Sequence, residues 1–104
     1  RPQSDPALND ARWSRAGDAY RTGLELYRGS FGVSPTIADA AIRASLKQFQ
    51  KAQRDLDGLM AEHRDHLVVE QRAQEINQLI VDCMKRQRVE YGRKPSKKKR
   101  KKRR

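Results

Sequence analysis

The sequence predicts an all-α protein: a small antiparallel helical hairpin or three-helix arrangement, or two helices with the second very long, followed by an extended basic C-terminal tail. Apolar residues recur at steps of three and four in three segments, and helix-start signals precede two of them. No apolar/polar alternation of period two is visible, which argues against β-strands. We predict helices at about residues 6–28, 35–57 and 66–91 within a helical body of residues 1–92.

The first predicted helix opens with a capping residue followed by proline. Ser4 or Asp5 can accept a hydrogen bond from the first backbone amides, and Pro6 stands where a missing N–H costs least. The helix ends at Gly29. One face repeats at helical spacing, so we expect it to pack, and it consists of Trp13, Ala16, Tyr20, Leu24 and Tyr27.

The second helix begins with the same signal, Ser34 followed by Pro35. Its apolar face repeats with near-heptad spacing and consists of Ile42, Leu46, Phe49, Leu56 and Met60. Asp57 and Gly58 can end this helix, although Gly58 fits equally inside a longer one. The third segment also has one apolar face before a stop at Gly92, and its members are Val69, Ala73, Ile76, Ile80 and Cys83.

The apolar faces of the second and third segments are out of phase. Ile42 and Ile76 are 34 residues apart, one short of five heptads. A turn between Asp57 and Leu67 explains the slip and favours an antiparallel hairpin. A single, slightly curved helix of about 55 residues is the alternative.

The net charge of +11 is concentrated in the basic tail, residues 93–104. These twelve positions hold ten basic residues and no acid, which leaves 14 basic and 13 acidic residues in the body, a net charge of +1. The pattern indicates polyanion contact through an appendage and not through a broad basic face. The basic residues of the tail are Arg93, Lys94, Lys97, Lys98, Lys99, Arg100, Lys101, Lys102, Arg103 and Arg104.

The low-complexity tail lacks apolar side chains, so we expect it to be disordered in isolation and to bind RNA phosphates by counterion release, without a base code. The segment 95–101 also has the composition of a nuclear import signal. Upstream, we predict a basic lead-in on the third helix, formed by Lys85, Arg86 and Arg88. The cations of the first two helices alternate with acids, and we expect at most two or three of them to touch nucleic acid.

The body is thinly cored, since only 36% of all residues are hydrophobic. We therefore expect one domain at most, with neighbouring proteins in a large complex supplying further buried surface. Aromatic residues are frequent anchors of such interfaces, and the predicted ones are Trp13, Tyr20, Tyr27 and Phe31.

Catalytic, metal and cofactor sites are not predicted. His63 and His66 are three residues apart, whereas a zinc pair on one helical face prefers a spacing of four, and no third ligand is evident. Cys83 is the single cysteine, which excludes an intramolecular disulfide and favours a reducing compartment. The longest apolar run is three residues, so we expect no membrane association, and we expect neither an enzyme nor a small-molecule substrate.

The tripeptide Leu26-Tyr27-Arg28 is similar to the motif of the LYR family. The resemblance implies a small basic three-helix mitochondrial protein that serves as an assembly or accessory factor and engages acyl carrier protein. It covers three residues, and the tripeptide here closes a predicted helix, whereas the family carries it early in a helix that continues.

Together these observations favour a structural, RNA-binding protein of a large ribonucleoprotein. A ribosomal protein, possibly of the mitochondrial matrix, is the leading expectation, with rRNA as the partner of the tail. A nuclear or nucleolar chromatin- or RNA-associated factor with a basic import signal is the second, and a LYR-like mitochondrial adaptor is the third.

Overall fold

A computed structural model describes residues 5–91 of the chain, with side chains for residues 5–87. Within that range the protein is all-α, as predicted, and consists of α1 (Ala11–Arg28), α2 (Pro35–Glu62) and α3 (Leu67–Tyr91). The basic tail, residues 93–104, lies outside the described residues.

Helix α1 begins five residues later than the sequence predicts. Asp10 is its N-cap, with a carboxylate oxygen that accepts from the Arg12 amide at 2.8 Å. Asp5 instead caps a separate turn, because its Oδ1 accepts from the Ala7 amide at 3.0 Å. The aspartate and proline near the N terminus therefore start a short turn ahead of the helix, and the prediction of a helix from residue 6 is wrong.

Helix α2 is longer than predicted at its C-terminal end. Ser34 caps it and Pro35 opens it, as expected, but the helix continues through Gly58 to Glu62. The guanidinium of Arg12 lies so close to Gly58 that an added Cβ there would stand 2.9 Å from Nη1. Gly58 thus leaves room for a side chain of α1 to cross, and it does not terminate the helix.

A tight turn separates α2 from α3, which excludes the single long helix. The turn covers residues 63–66, and Asp65 takes a left-handed backbone conformation with φ 63°. His66 then accepts the Val69 amide on Nδ1 at 3.3 Å at the start of α3. The predicted antiparallel hairpin is confirmed, since Gln53 Nε2 donates to Asn77 Oδ1 at 3.3 Å and Ser45 Oγ lies 3.8 Å from Cys83 Sγ.

Helix α2 packs against both of its neighbours and carries the centre of the core. Phe49 is fully buried and lies against Gly23 of α1, where the ring leaves no space for a Cβ. The predicted apolar faces are confirmed: every residue of the α3 face is buried, and the α2 face has buried members together with partly buried Leu46 and Met60. On α1, Ala16 is buried and the aromatic residues pack at the margin of the core.

Candidate nucleic-acid and protein interfaces

The predicted lead-in to the basic tail lies on the last turns of α3. Lys85 is exposed there, whereas Arg86 is half-buried, and the side chain of Arg88 lies outside the described part of the chain. The α1–α2 loop approaches the same end of the molecule, because Arg86 reaches Ser30. The tail therefore follows the end of the bundle that α3 shares with this loop.

Arg86 is engaged inside the protein. Its Nη2 donates to the carbonyl oxygen of Ser30 at 3.0 Å, and its Nη1 donates to the Ser30 hydroxyl oxygen. The guanidinium also lies 4.0 Å from the ring centroid of Phe31 and 5.6 Å from that of Tyr27. Its hydrogen-bonding capacity is thus directed largely at the loop, whereas Lys85, the other lead-in residue whose side chain is described, is exposed to solvent.

A second arginine of α3 makes the equivalent contact at the other end of α1. The guanidinium of Arg72 lies 4.5 Å from the ring centroid of Tyr20 and 5.3 Å from that of Trp13. Cation–π contacts of this kind connect α3 to the aromatic face of α1 through long arginine side chains. We call this contact the arginine-aromatic seam; its members are Arg72, Arg86, Trp13, Tyr20, Tyr27 and Phe31.

The aromatic residues that the sequence assigns to a partner interface contact arginine side chains of α3 within this seam. Trp13, Tyr20 and Tyr27 are half-buried against the core, whereas Phe31 is 54% exposed. The sequence analysis did not predict the arginine partners, although the spacing of the aromatic residues and of the two arginines indicates them. The three aromatic positions of α1 are seven residues apart and the two arginines are fourteen apart, so both sets keep one face of their helix.

Exposed apolar side chains accompany Phe31 in the α1–α2 loop and the first turn of α2. Val33 is 41% exposed and Ile37 is 57% exposed. Of the three side chains, Phe31 contacts α3, through the guanidinium of Arg86. A protein neighbour that covers these side chains gains stability from burying apolar area.

An acidic cluster at the opposite end has ligand-type atoms within 4.8 Å of one another, contributed by Asp10, Glu62 and His63. The Arg12 guanidinium is bound to both carboxylates, at 2.8 Å from Asp10 Oδ2 and 2.6 Å from Glu62 Oε1. It lowers the pKa of Asp10 and of Glu62, chiefly through these hydrogen bonds. The cluster is thereby an ion-pair network that joins the start of α1 to the end of α2.

His63 and His66, three residues apart in the sequence, have different surroundings in the structure. His63 ends α2, whereas the Nε2 of His66 lies 2.8 Å from Asp5 Oδ2, and this hydrogen bond lowers the pKa of Asp5. With Nδ1 accepting the Val69 amide, Nε2 carries the proton and donates. Cys83 is buried beside Ser45, and burial raises the pKa of its thiol. His66 therefore ties the start of α3 to the turn before α1, and Cys83 belongs to the buried core.

The Leu26-Tyr27-Arg28 tripeptide forms the last turn of α1, and Gly29 follows it as the C-cap. No family model, curated protein or solved structure matches the chain. The three-residue resemblance to the LYR family therefore has no further support. No helix in the described range is long and apolar enough to cross a membrane.

Proposed function

We propose that the chain is a structural RNA-binding component of a large ribonucleoprotein, with the mitochondrial ribosome as the favoured setting. The basic tail contacts the rRNA backbone and the helices dock on neighbouring proteins. One observation carries the proposal: the last twelve residues hold ten cations and no acid, whereas residues 1–92 have a net charge of +1. Such a tail binds phosphates through counterion release, independently of base sequence.

Charge pairing in the body supports the assignment of RNA contact to the tail and of protein contact to the helices. Arg12 and Arg15 are bound to carboxylates of α2, and Arg21 is paired with Asp18 on α1. These cations are therefore partly neutralised, whereas the tail has no acid of its own. In the α1–α2 loop and the first turn of α2, the exposed Phe31, Val33 and Ile37 supply an apolar surface for a protein neighbour.

Deletion of residues 93–104 tests the proposal. We expect RNA binding at moderate salt to be lost while the helicity measured by circular dichroism is kept, because the buried core residues lie between Ala7 and Cys83, upstream of the deleted segment. If about six tail cations touch phosphate, the tail contributes about −4 to the log-log salt slope on single-stranded RNA. A chain with a scrambled tail of the same composition is the control and keeps its affinity. Unchanged RNA affinity after the deletion would refute the proposal.

A nuclear or nucleolar factor is the second candidate, because segment 95–101 has the composition of an import signal. Localisation of the full chain separates the two. Exclusion from the nucleus removes the nuclear candidate, and preference for duplex DNA over structured RNA counts against the ribosomal one.

The LYR-like adaptor rests on the tripeptide alone. This candidate requires that the native chain co-purifies with acyl carrier protein and that the Tyr27→Ala variant does not. Because Tyr27 lies beside Arg86 in the seam, thermal unfolding of that variant has to be measured alongside. Absence of the carrier from the purified native chain removes this candidate.

A further inference from the structure

Three cations of α2 form a row on one exposed face. We call them the α2 cationic stripe: Lys47, Lys51 and Arg54. Steps of four and three residues place them on the same side of a helix. None of the three has a hydrogen bond or ion pair with any residue in the part of the chain that the structure describes. Their charge therefore faces solvent without local neutralisation.

The stripe borders an open groove between α1 and α2, with a volume of about 420 Å³. Lys51 and Arg54 line it from α2, and the neutral donors Thr22 and Gln48 line it from either side. Its two carboxylates already have cationic partners, since Arg15 Nη2 lies 3.0 Å from Asp55 Oδ1 and Arg21 is paired with Asp18. The groove and stripe together are cationic.

The composition of the groove disfavours a helix of a partner protein as its occupant. Ala19 is the only apolar side chain among the residues that line it, whereas a docked amphipathic helix needs a hydrophobic groove. A polyanion with hydroxyl groups matches unpaired cations beside neutral hydrogen-bonding side chains.

We propose that the α2 cationic stripe is a second contact for the backbone of single-stranded RNA, with Thr22 and Gln48 placed to hydrogen-bond ribose hydroxyls. The inference rests on the proposed function and deepens it, because it adds a site on the folded body to the contact made by the tail. Phosphates bind Lys51 and Arg54, and Lys47 extends the row by one turn. The 2′-hydroxyl is the group by which such a site distinguishes RNA from DNA.

The helix gives this site a fixed spacing. At a rise of 1.5 Å per residue, Lys51 stands about 6 Å along the axis from Lys47, and Arg54 about 10.5 Å. Because the helix fixes the Cα positions of these cations, the row can follow successive phosphates of one strand without an additional loss of backbone freedom on binding. The stripe therefore orients the RNA on the body, whereas the tail contributes affinity.

The test compares two double variants of the full-length chain that remove the same charge. Lys51→Gln with Arg54→Gln changes the stripe; Arg28→Gln with Arg64→Gln changes two exposed cations that have no partner in the described region and lie away from the groove. Affinity for an oligouridine is measured against salt, and circular dichroism confirms the fold of each variant. Each phosphate contact contributes about 0.7 to the log-log salt slope on a single strand, so we expect the loss of two contacts to make the slope of the stripe variant shallower by about 1.4. The slope of the control should stay unchanged.

Equal slopes for the wild type, the stripe variant and the control, with strong binding that depends on the tail, would overturn the inference and leave the proposed function intact. Absence of oligouridine binding by the wild type overturns both. The deoxy counterpart of the probe tests the role of Thr22 and Gln48. We expect it to bind the wild type more weakly than oligouridine, and equal affinity refutes the assignment to ribose hydroxyls.

Discussion

At the scale of single residues, the contact between Gly23 and Phe49 sets the distance between α1 and α2. A Cβ at Gly23 would stand 2.6 Å from Cε1 of the buried ring. We expect Gly23→Ala to lower the free energy of unfolding by about 1–3 kcal/mol through overpacking, despite the better helix propensity of alanine. Urea unfolding of the variant and the wild type measures this difference in free energy.

Gly17→Ala is the matched control for this substitution. Its Cβ would lie 3.6 Å from Arg21 Nη1, which is an ordinary contact with a flexible side chain. We expect it to raise stability by roughly 0.5–1 kcal/mol. Similar effects of the two substitutions would contradict the assigned role of Gly23.

The Arg12 network makes stability depend on pH in the acid range. Because Arg12 lowers the folded-state pKa of Asp10 and of Glu62, their stabilisation is complete above the ordinary values of 3.8 and 4.5 and is lost as the pH falls through the lowered ones. We expect the unfolding free energy to fall with acidification below about pH 4.5. In Arg12→Gln the decline over this range should be shallower; an identical pH profile would show that the network does not contribute.

At the scale of helices, the arginine-aromatic seam holds α3 beside α1. Arg86→Gln removes charged hydrogen bonds to Ser30 and the contact with the Phe31 ring, so we expect a loss of about 1–3 kcal/mol in unfolding free energy. Lys85→Gln, one residue away and exposed, is the control and should stay within about 0.5 kcal/mol of the wild type. Thermal unfolding distinguishes the two, and equal stability of both variants would contradict the structural role of Arg86.

Helical periodicity predicted the elements well because each apolar face is a local pattern. The phase slip between Ile42 and Ile76 predicted a turn between Asp57 and Leu67, and the structure has it at residues 63–66. Ser34 with Pro35 located the start of α2. The start of α1 was wrong because two aspartates can act as caps: Asp10 caps α1, whereas Asp5 caps the preceding turn and is hydrogen-bonded to His66, 61 positions later. Gly58 gave an ambiguous signal, since the side chain that crosses over it comes from Arg12, 46 positions earlier in the sequence.

At the scale of the whole molecule, the tail and the α2 cationic stripe have different thermodynamic effects. The tail charges are present in the folded and the unfolded chain alike, so RNA bound through them alone leaves the melting temperature unchanged. A ligand that binds the folded state preferentially raises it. We therefore expect oligouridine to raise the melting temperature of the full chain but not that of Lys51→Gln with Arg54→Gln. A melting temperature that RNA leaves unchanged in the wild type would contradict a contact on the folded body.

The candidate interface was only partly predictable from sequence. The tail is visible in composition, but whether a cation on a helix is free depends on neighbours distant in the chain. Arg15 is paired with Asp55, 40 positions away, whereas Lys51 has no such partner in the described region. The same argument separates Lys85 from Arg86, which are adjacent in sequence and differ in their surroundings.

The central position of α2 also has a consequence for the route to the native state. Its main packing partners are the helices immediately before and after it in the chain, so most contacts join segments that are close in sequence. Such topologies have low contact order and fold rapidly. During synthesis, α1 and α2 can pair around Phe49 before α3 is complete. The α1–α2 hairpin can then offer α3 a formed surface, and on this route we expect the arginine-aromatic seam to form last.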